Sequence, residues 1–124
     1  MNCIIIDDDK LSRRVVEEFV TKTEGLVLIN SYENAVDAIN AFNEEADIDL
    51  IFLDIEMPNE NGFDLLNKYK DINFKVIFVT AYDAYALKAI KYSALDYLLK
   101  PVDKRELIAA VEKLDALESQ KAQL

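Results

Sequence analysis

The chain contains no histidine and no tryptophan in its 124 residues. Without imidazole, Ser-His-Asp triads, Cys-His pairs and histidine-based metal sites are all excluded. Only two glycines occur, Gly25 and Gly62, so neither a G-x-G-x-x-G turn nor a P-loop can be written. The one cysteine, Cys3, has no partner for an intrachain disulfide and reads as a small buried hydrophobe in the first strand. No apolar run approaches the roughly 20 residues of a membrane span. The start, Met1-Asn2-Cys3-Ile4-Ile5-Ile6, meets Asp7-Asp8-Asp9 too soon for a signal peptide, so the chain is read as cytoplasmic with no membrane partner. Basic residues are also scarce: 14 Lys and Arg face 24 Asp and Glu, for a net charge of −10. That balance argues against nucleic acid as a partner of this segment and favours cations. Carboxylates, hydroxyls and lysine are left to carry any chemistry.

What is present reads as one soluble globular domain, with 52% apolar and 31% charged residues. Its centre is Leu50-Ile51-Phe52-Leu53, an apolar run of strand length covered on both faces, which ends on Asp54. Pro58 stops any further ladder. Four other short apolar runs alternate with helical periodicity. The strands are read at 3–6, 26–29, 50–53, 75–80 and 95–99. The helices are read from about Leu11 through Val15, with Val16 beside it, and Phe19 to Lys22, then through Val36, Ile39 and Phe42, and through Phe63 to Tyr69. Two more run from 84 to 92 and through Leu107, Ile108, Val111 and Leu114. Asn34, Asp83 and Asp103 stand as N-caps, and Gly62 closes a turn in which it can take positive φ. Strand and helix alternating five times, with short right-handed crossovers, make a parallel α/β sandwich.

In such a sheet ligands bind outside the carboxyl ends of the strands. Those ends carry Asp7-Asp8, Asp54, Thr80 and Lys100-Pro101. If the first and third strands flank the switch point, three carboxylates converge there, and they cannot all stay ionised without a cation among them. An all-oxygen set suits a hard ion such as Mg²⁺. With a hydroxyl and an ammonium across the crevice, the arrangement is one for binding a phosphoryl group. Asp54 can then act as nucleophile and form an aspartyl phosphate.

Ile4-Ile5-Ile6-Asp7-Asp8-Asp9, Phe52-Leu53-Asp54-Ile55-Glu56-Met57-Pro58 with Gly62, Val79-Thr80-Ala81 and Asp96-Tyr97-Leu98-Leu99-Lys100-Pro101 together resemble a response-regulator receiver domain, over residues 2 to about 118. The resemblance implies a flavodoxin-like doubly wound (βα)5 sheet in the order 2-1-3-4-5. It implies that Asp54 accepts phosphate from a sensor histidine kinase or a small phosphodonor. It implies Mg²⁺ on Asp8 and Asp54 with the backbone carbonyl of Glu56, and Asp7 helping. Thr80 and Lys100 would contact the phosphoryl oxygens, Ala81 would keep the approach open, and Tyr97 would be the aromatic switch that follows Thr80. A cis Lys100-Pro101 bond is implied as well.

The stretches 80–89 and 94–101 look closest to receivers of the LytTR group, transcriptional regulators that usually carry a C-terminal DNA-binding domain. Residues 1–118 are read as the receiver, and 119–124 as a frayed tail or the start of a linker. The output face is expected on the fourth helix, fifth strand and fifth helix, as a phosphorylation-dependent homodimer contact. Four of the six tyrosines, Tyr82, Tyr85, Tyr92 and Tyr97, cluster there, with Lys88 and Lys91 opposite Asp96 and Asp103. Two rivals remain. One is a haloacid-dehalogenase-type phosphatase or phosphotransferase, whose motif wants an Asp where Glu56 stands. The other is a receiver-like interaction module that never takes phosphate.

Overall fold

The computed structural model describes residues 1–44, 47–68 and 73–122. Ten elements alternate along them: β1 (Asn2–Ile6), α1 (Lys10–Thr21), β2 (Val27–Tyr32), α2 (Ala35–Glu44), β3 (Leu50–Leu53), α3 (Gly62–Lys68), β4 (Lys75–Thr80), α4 (Ala86–Lys91), β5 (Asp96–Leu99) and α5 (Lys104–Ala122). The strands form one sheet in the order β2-β1-β3-β4-β5, and every neighbouring pair is parallel. That is the flavodoxin-like doubly wound arrangement.

The period-2 alternation of each central strand sends its side chains into two separate cores. On one side Cys3, Ile5, Phe52, Ile77 and Val79 meet Val16 and Val20 of α1 and Leu107, Val111 and Leu114 of α5. On the other side Ile4, Ile6, Ile51, Leu53 and Phe78 meet Ala35 and Ala38 of α2, Phe63 and Leu66 of α3 and Ala89 of α4. Runs apolar at every position are therefore required, because both faces are covered. Cys3 lies fully buried in the first core, and burial pushes its thiol up to about 12, which leaves it an inert packing group.

Helix phases differ from the sequence reading at two positions. Leu11 is 73% exposed, and Val16 with Val20 forms the buried stripe of α1. The helix starts beyond the carboxyl edge of the sheet, where its first turn has nothing apolar to pack on. Val36 is 63% exposed, because Ala35 and Ala38 take the sheet-facing side and Val36 falls one residue out of phase.

The edge strand β2 also runs past Ile29 to Tyr32, through polar Asn30 and Ser31. Its backbone keeps pairing with β1 after a register shift in which Cys3 faces Leu28 and Ile4 faces Asn30. The helix-phase residue Tyr69, part of the acidic connection between Glu44 and Asp49, and the last two residues lie outside the described residues. Among the described residues no helix is long and apolar enough to cross a membrane.

Caps explain where the helices begin. Asn34 Oδ1 accepts from the Asp37 N–H at 2.8 Å, and Asp103 Oδ1 accepts from the Arg105 N–H at 2.7 Å. Asp83 does not cap α4 through its side chain: its backbone carbonyl receives the Ala86 N–H, and the cap position is Tyr85. α4 is accordingly shorter than the sequence reading and starts at Ala86.

Candidate functional site

β1 and β3 are neighbours, so their carboxyl ends deliver Asp7 and Asp54 side by side. The ladder continues one residue past each strand: the Asp7 N–H donates to the Tyr32 carbonyl and the Asp54 N–H to the Ile6 carbonyl, both at 2.9 Å. Both carboxylates are fixed by backbone pairing, and both are buried.

The three consecutive aspartates have different tasks. Asp9 caps α1, its carboxylate accepting from the Leu11 N–H at 3.0 Å and the Ser12 hydroxyl at 3.1 Å. Asp7 points into the crevice, where it accepts from the Asp9 N–H at 2.9 Å. Asp8 is exposed at the rim. Asp7, Asp8 and Asp54 each offer an oxygen, all within 4.8 Å of one another.

Lys100 reaches this cluster from the end of β5. Its ammonium stands 3.0 Å from Asp7 Oδ2 and 3.3 Å from Asp54 Oδ2. The peptide bond from Lys100 to Pro101 is cis, and the Lys100 N–H donates to the Thr80 carbonyl at 2.8 Å. One ammonium between two buried carboxylates does not balance the charge. Burial, reinforced by the charge of Asp7, raises the Asp54 carboxyl to about 7 against the pull of Lys100. Burial also raises Asp7, with the Asp9 N–H and Lys100 opposing. For Lys100 burial opposes the charged form, but the two carboxylates outweigh it and hold the ammonium protonated. A divalent cation would take the place of the proton. The donor set, carboxylate oxygens only, fits a hard ion such as Mg²⁺.

Thr80 ends β4 fully buried, its hydroxyl accepting from the Tyr82 N–H at 3.3 Å. Ala81 follows at an exposed bend. Tyr97 on β5 is half-buried against Phe78, and its hydroxyl donates to the Tyr82 carbonyl in the loop after β4. Gly62, the first residue of α3, does not have positive φ; in that loop Asn59 does, at 69°. Gly62 is required for closeness instead, since its N–H donates to the Ile55 carbonyl at 2.9 Å and its α-carbon lies against Asp54. Asp7, Asp8, Asp54 and Lys100 thus converge, with Thr80 and Ala81 on the adjacent strand end. Glu56 is exposed and its carboxylate turns to the Tyr85 hydroxyl.

Arg13 and Lys113 also escaped the sequence reading. Arg13 donates to the Asp7 carbonyl at 2.8 Å, a contact foreshadowed only by a basic residue one turn into a helix. Lys113 on α5 pairs with Asp96 at 2.7 Å, a partner other than the Lys88 and Lys91 read opposite it, while the Lys88 ammonium lies 4.7 Å above the Phe63 ring. Tyr85 and Tyr92 are packing residues as well, each ring against Phe63, with the Tyr92 hydroxyl donating to Asn67 at 2.9 Å.

Known proteins share both sequence and fold. Residues 3–112 match the family described as response regulator receiver domain. The chain is 36% identical over 115 residues to an uncharacterized response regulatory protein of Vibrio cholerae, covering 92% of this chain and 48% of that protein. It is likewise 36% identical over 115 residues to the sensory transduction protein LytT of Bacillus subtilis, covering 91% and 47% respectively. The sensory transduction protein LytR of Staphylococcus saprophyticus is 35% identical over 117 residues, 93% of this chain and 46% of that one. The chain spans about half the length of the curated relatives it matches. Among solved structures, the response regulatory domain of mrkE from Klebsiella pneumoniae superposes with a TM-score of 0.87 at 25% identity, covering 97% of this chain and 99% of that one.

Proposed function

The chain belongs to the response regulator receiver domain family, and on that premise we propose that it is the phosphoacceptor domain of a two-component system, phosphorylated on Asp54. Membership in this family replaces the haloacid-dehalogenase alternative. The observation that carries the proposal is the placement of Asp54: buried at the end of the central strand, 3.3 Å from the Lys100 ammonium and beside Asp7.

The chemistry follows from those positions. Asp7, Asp8, Asp54 and the Glu56 carbonyl would hold Mg²⁺, which would supply charge neutralisation for the phosphoryl oxygens. An Asp54 carboxylate oxygen attacks phosphorus; the new P–O bond forms as the bond to the donor's leaving group breaks, whether a phosphohistidine of a sensor kinase or a small phosphodonor. Lys100, paired at rest with Asp7 and Asp54, moves its charge to the phosphoryl group. The Thr80 hydroxyl, which accepts from the Tyr82 N–H at rest, donates its own proton to a phosphoryl oxygen, and Ala81 leaves the approach clear. Tyr97, held to the Tyr82 carbonyl at rest, follows Thr80 inward. The domain assists its own phosphorylation and dephosphorylation and turns over no other substrate.

The signal leaves through α4, β5 and α5, where the altered face favours a homodimer. Relatives named LytT and LytR support a place in a cytoplasmic LytTR-type transcriptional regulator. In that arrangement residues 1–118 are the receiver, residues 119–124 lead into a linker, and a separate output domain makes the DNA contact. α5 itself runs unbroken to Ala122.

Incubation with acetyl phosphate and Mg²⁺, read by intact mass, tests the assignment. The wild type gains one phosphoryl group, Asp54→Ala gains none, and Asp9→Ala, which loses only a cap, is labelled. Labelling of the Asp54 variant would move the acceptor elsewhere, and no labelling of the wild type would favour the phosphate-independent interaction module.

A further inference from the structure

Between the two loops that flank Asp54, the Tyr85 hydroxyl donates to Glu56 Oε1. Glu56 lies two residues past Asp54 in the loop from β3 to α3, and Tyr85 lies five past Thr80, at the cap of α4. The pair is 29 residues apart, so only the fold brings it together. α4 is otherwise lightly held. It has six residues, of which Ala89 is buried, while Leu87 and Ile90 are exposed. Its other side-chain attachments include the Phe63 ring, which Tyr92 meets at 4.9 Å and the Lys88 ammonium at 4.7 Å, and the hydrogen bond from the Tyr92 hydroxyl to Asn67 at 2.9 Å. Tyr85 also meets Tyr82 edge-on at 6.3 Å, and the Tyr82 carbonyl is the acceptor for Tyr97. The loop that follows Thr80 is therefore tied to the β3–α3 loop by Tyr85 and to β5 by Tyr97.

We infer that the Glu56–Tyr85 hydrogen bond is a clasp across the mouth of the crevice, and that its opening sets both the entry of a phosphoryl donor to Asp54 and the release of α4. Glu56 and Tyr85 act here as positioning residues. A hydrogen bond to a carboxylate is strong enough to hold a six-residue helix, and exposed enough to open without unfolding the domain. The entry half rests on the reading of Asp54 as phosphoacceptor; the release half does not.

Tyr85→Phe keeps the ring against Phe63 and deletes the hydroxyl alone. Amide exchange over residues 81–91 is expected to quicken about tenfold in Tyr85→Phe and in Glu56→Ala, the effect of losing one charge-assisted bond from an opening equilibrium. The double variant should be no faster than either single one, and Glu56→Gln, which keeps an acceptor, should fall between. Acetyl phosphate labelling should quicken by a similar factor. Unchanged exchange in both single variants, or effects that multiply in the double variant, would overturn the clasp. Exchange that quickens in the variants while they take label at the wild-type rate would overturn the role in entry. A wild type that takes no label removes the phosphoacceptor reading, and the exchange arm then decides the clasp by itself.

Discussion

A Cβ added to Gly62 would stand 2.6 Å from the backbone oxygen of Asp54, and 3.2 Å from the Ile55 Cα. Both neighbours are backbone at the end of the central strand, so neither can rotate away. Gly62→Ala should therefore destabilise the protein by about 1–3 kcal/mol, the usual cost of forced overpacking. Alanine's better helix propensity, worth about 1 kcal/mol, acts in the opposite direction and is outweighed. Urea unfolding reads the difference, and acetyl phosphate labelling should slow with it because the clash falls on Asp54 itself. A variant as stable as the wild type would show that the two loops adjust freely.

The metal-free protein should lose stability as pH rises from about 4 to about 7. Burial holds the Asp54 proton up to about 7, whereas the unfolded chain releases it near the ordinary value of 3.8. The folded state binds more protons in that window, so each step up in pH favours unfolding. Asp7, raised for the same reason, adds to the slope. Asp9, lowered chiefly by its Ser12 hydrogen bond, and Glu18, lowered by Lys22, act below about pH 4, where their protonation weakens the fold. Melting temperatures in chelator between pH 5 and 8 should fall for the wild type and fall less steeply for Asp54→Asn, in which Asp7 alone of the pair remains. A slope undiminished in the variant would assign the proton to another group.

The architecture was legible because burial on both faces leaves no choice of residue: β3, for example, is Leu50-Ile51-Phe52-Leu53 and nothing else. The convergence of Asp7, Asp54 and Lys100 was legible for a related reason, since each ends a strand of one parallel sheet. What escaped was phase and partner. Leu11 and Val36 satisfy helical spacing, but which of several overlapping stripes faces the sheet depends on how the helix leans, and periodicity leaves that open. Gly62 stood out as a turn glycine for its φ, whereas its role is the room it leaves for Asp54. The Tyr85–Glu56 and Lys113–Asp96 bonds join residues 29 and 17 positions apart, beyond any local rule.

Mg²⁺ should stabilise the fold, because it binds the assembled carboxylates and not the dispersed ones of the unfolded chain. At about a hundred times Kd the gain is about 2.7 kcal/mol, on the order of a 10 °C rise in melting temperature for a domain of this size. The rise should be larger at pH 8 than at pH 5.5, where the Asp54 proton competes with the ion. Asp8 is exposed, so Asp8→Asn should cost the metal-free fold little and yet blunt the Mg²⁺ response. A full response in that variant would place the ion away from the Asp7, Asp8 and Asp54 oxygens.

Leu87 and Ile90 on α4 and Leu99 on β5 are 80%, 71% and 44% exposed, an apolar set on the face through which the signal is proposed to leave. Apolar side chains of this size left in water favour a second surface, and the symmetric choice is the same face of another copy. Lys91 and Asp103 are both exposed on this face and can pair across a two-fold axis, whereas Asp96 is already engaged by Lys113. The beryllofluoride mimic of the phosphoryl group, with Mg²⁺, should shift sedimentation from monomer to dimer. It can do so only to the extent that it binds the dimer-competent state more tightly, and a shift from 1:99 to 99:1 needs about a 10⁴-fold preference. Leu87→Glu and Ile90→Glu alter neither the carboxylates nor Lys100, so the mimic should still raise their melting temperatures. Both variants should nonetheless stay monomeric, since each would bury a carboxylate in the apolar contact. Dimers that form equally well in both variants would move the output to another face, and a mimic that binds without changing sedimentation would mean that phosphorylation is read by a different partner.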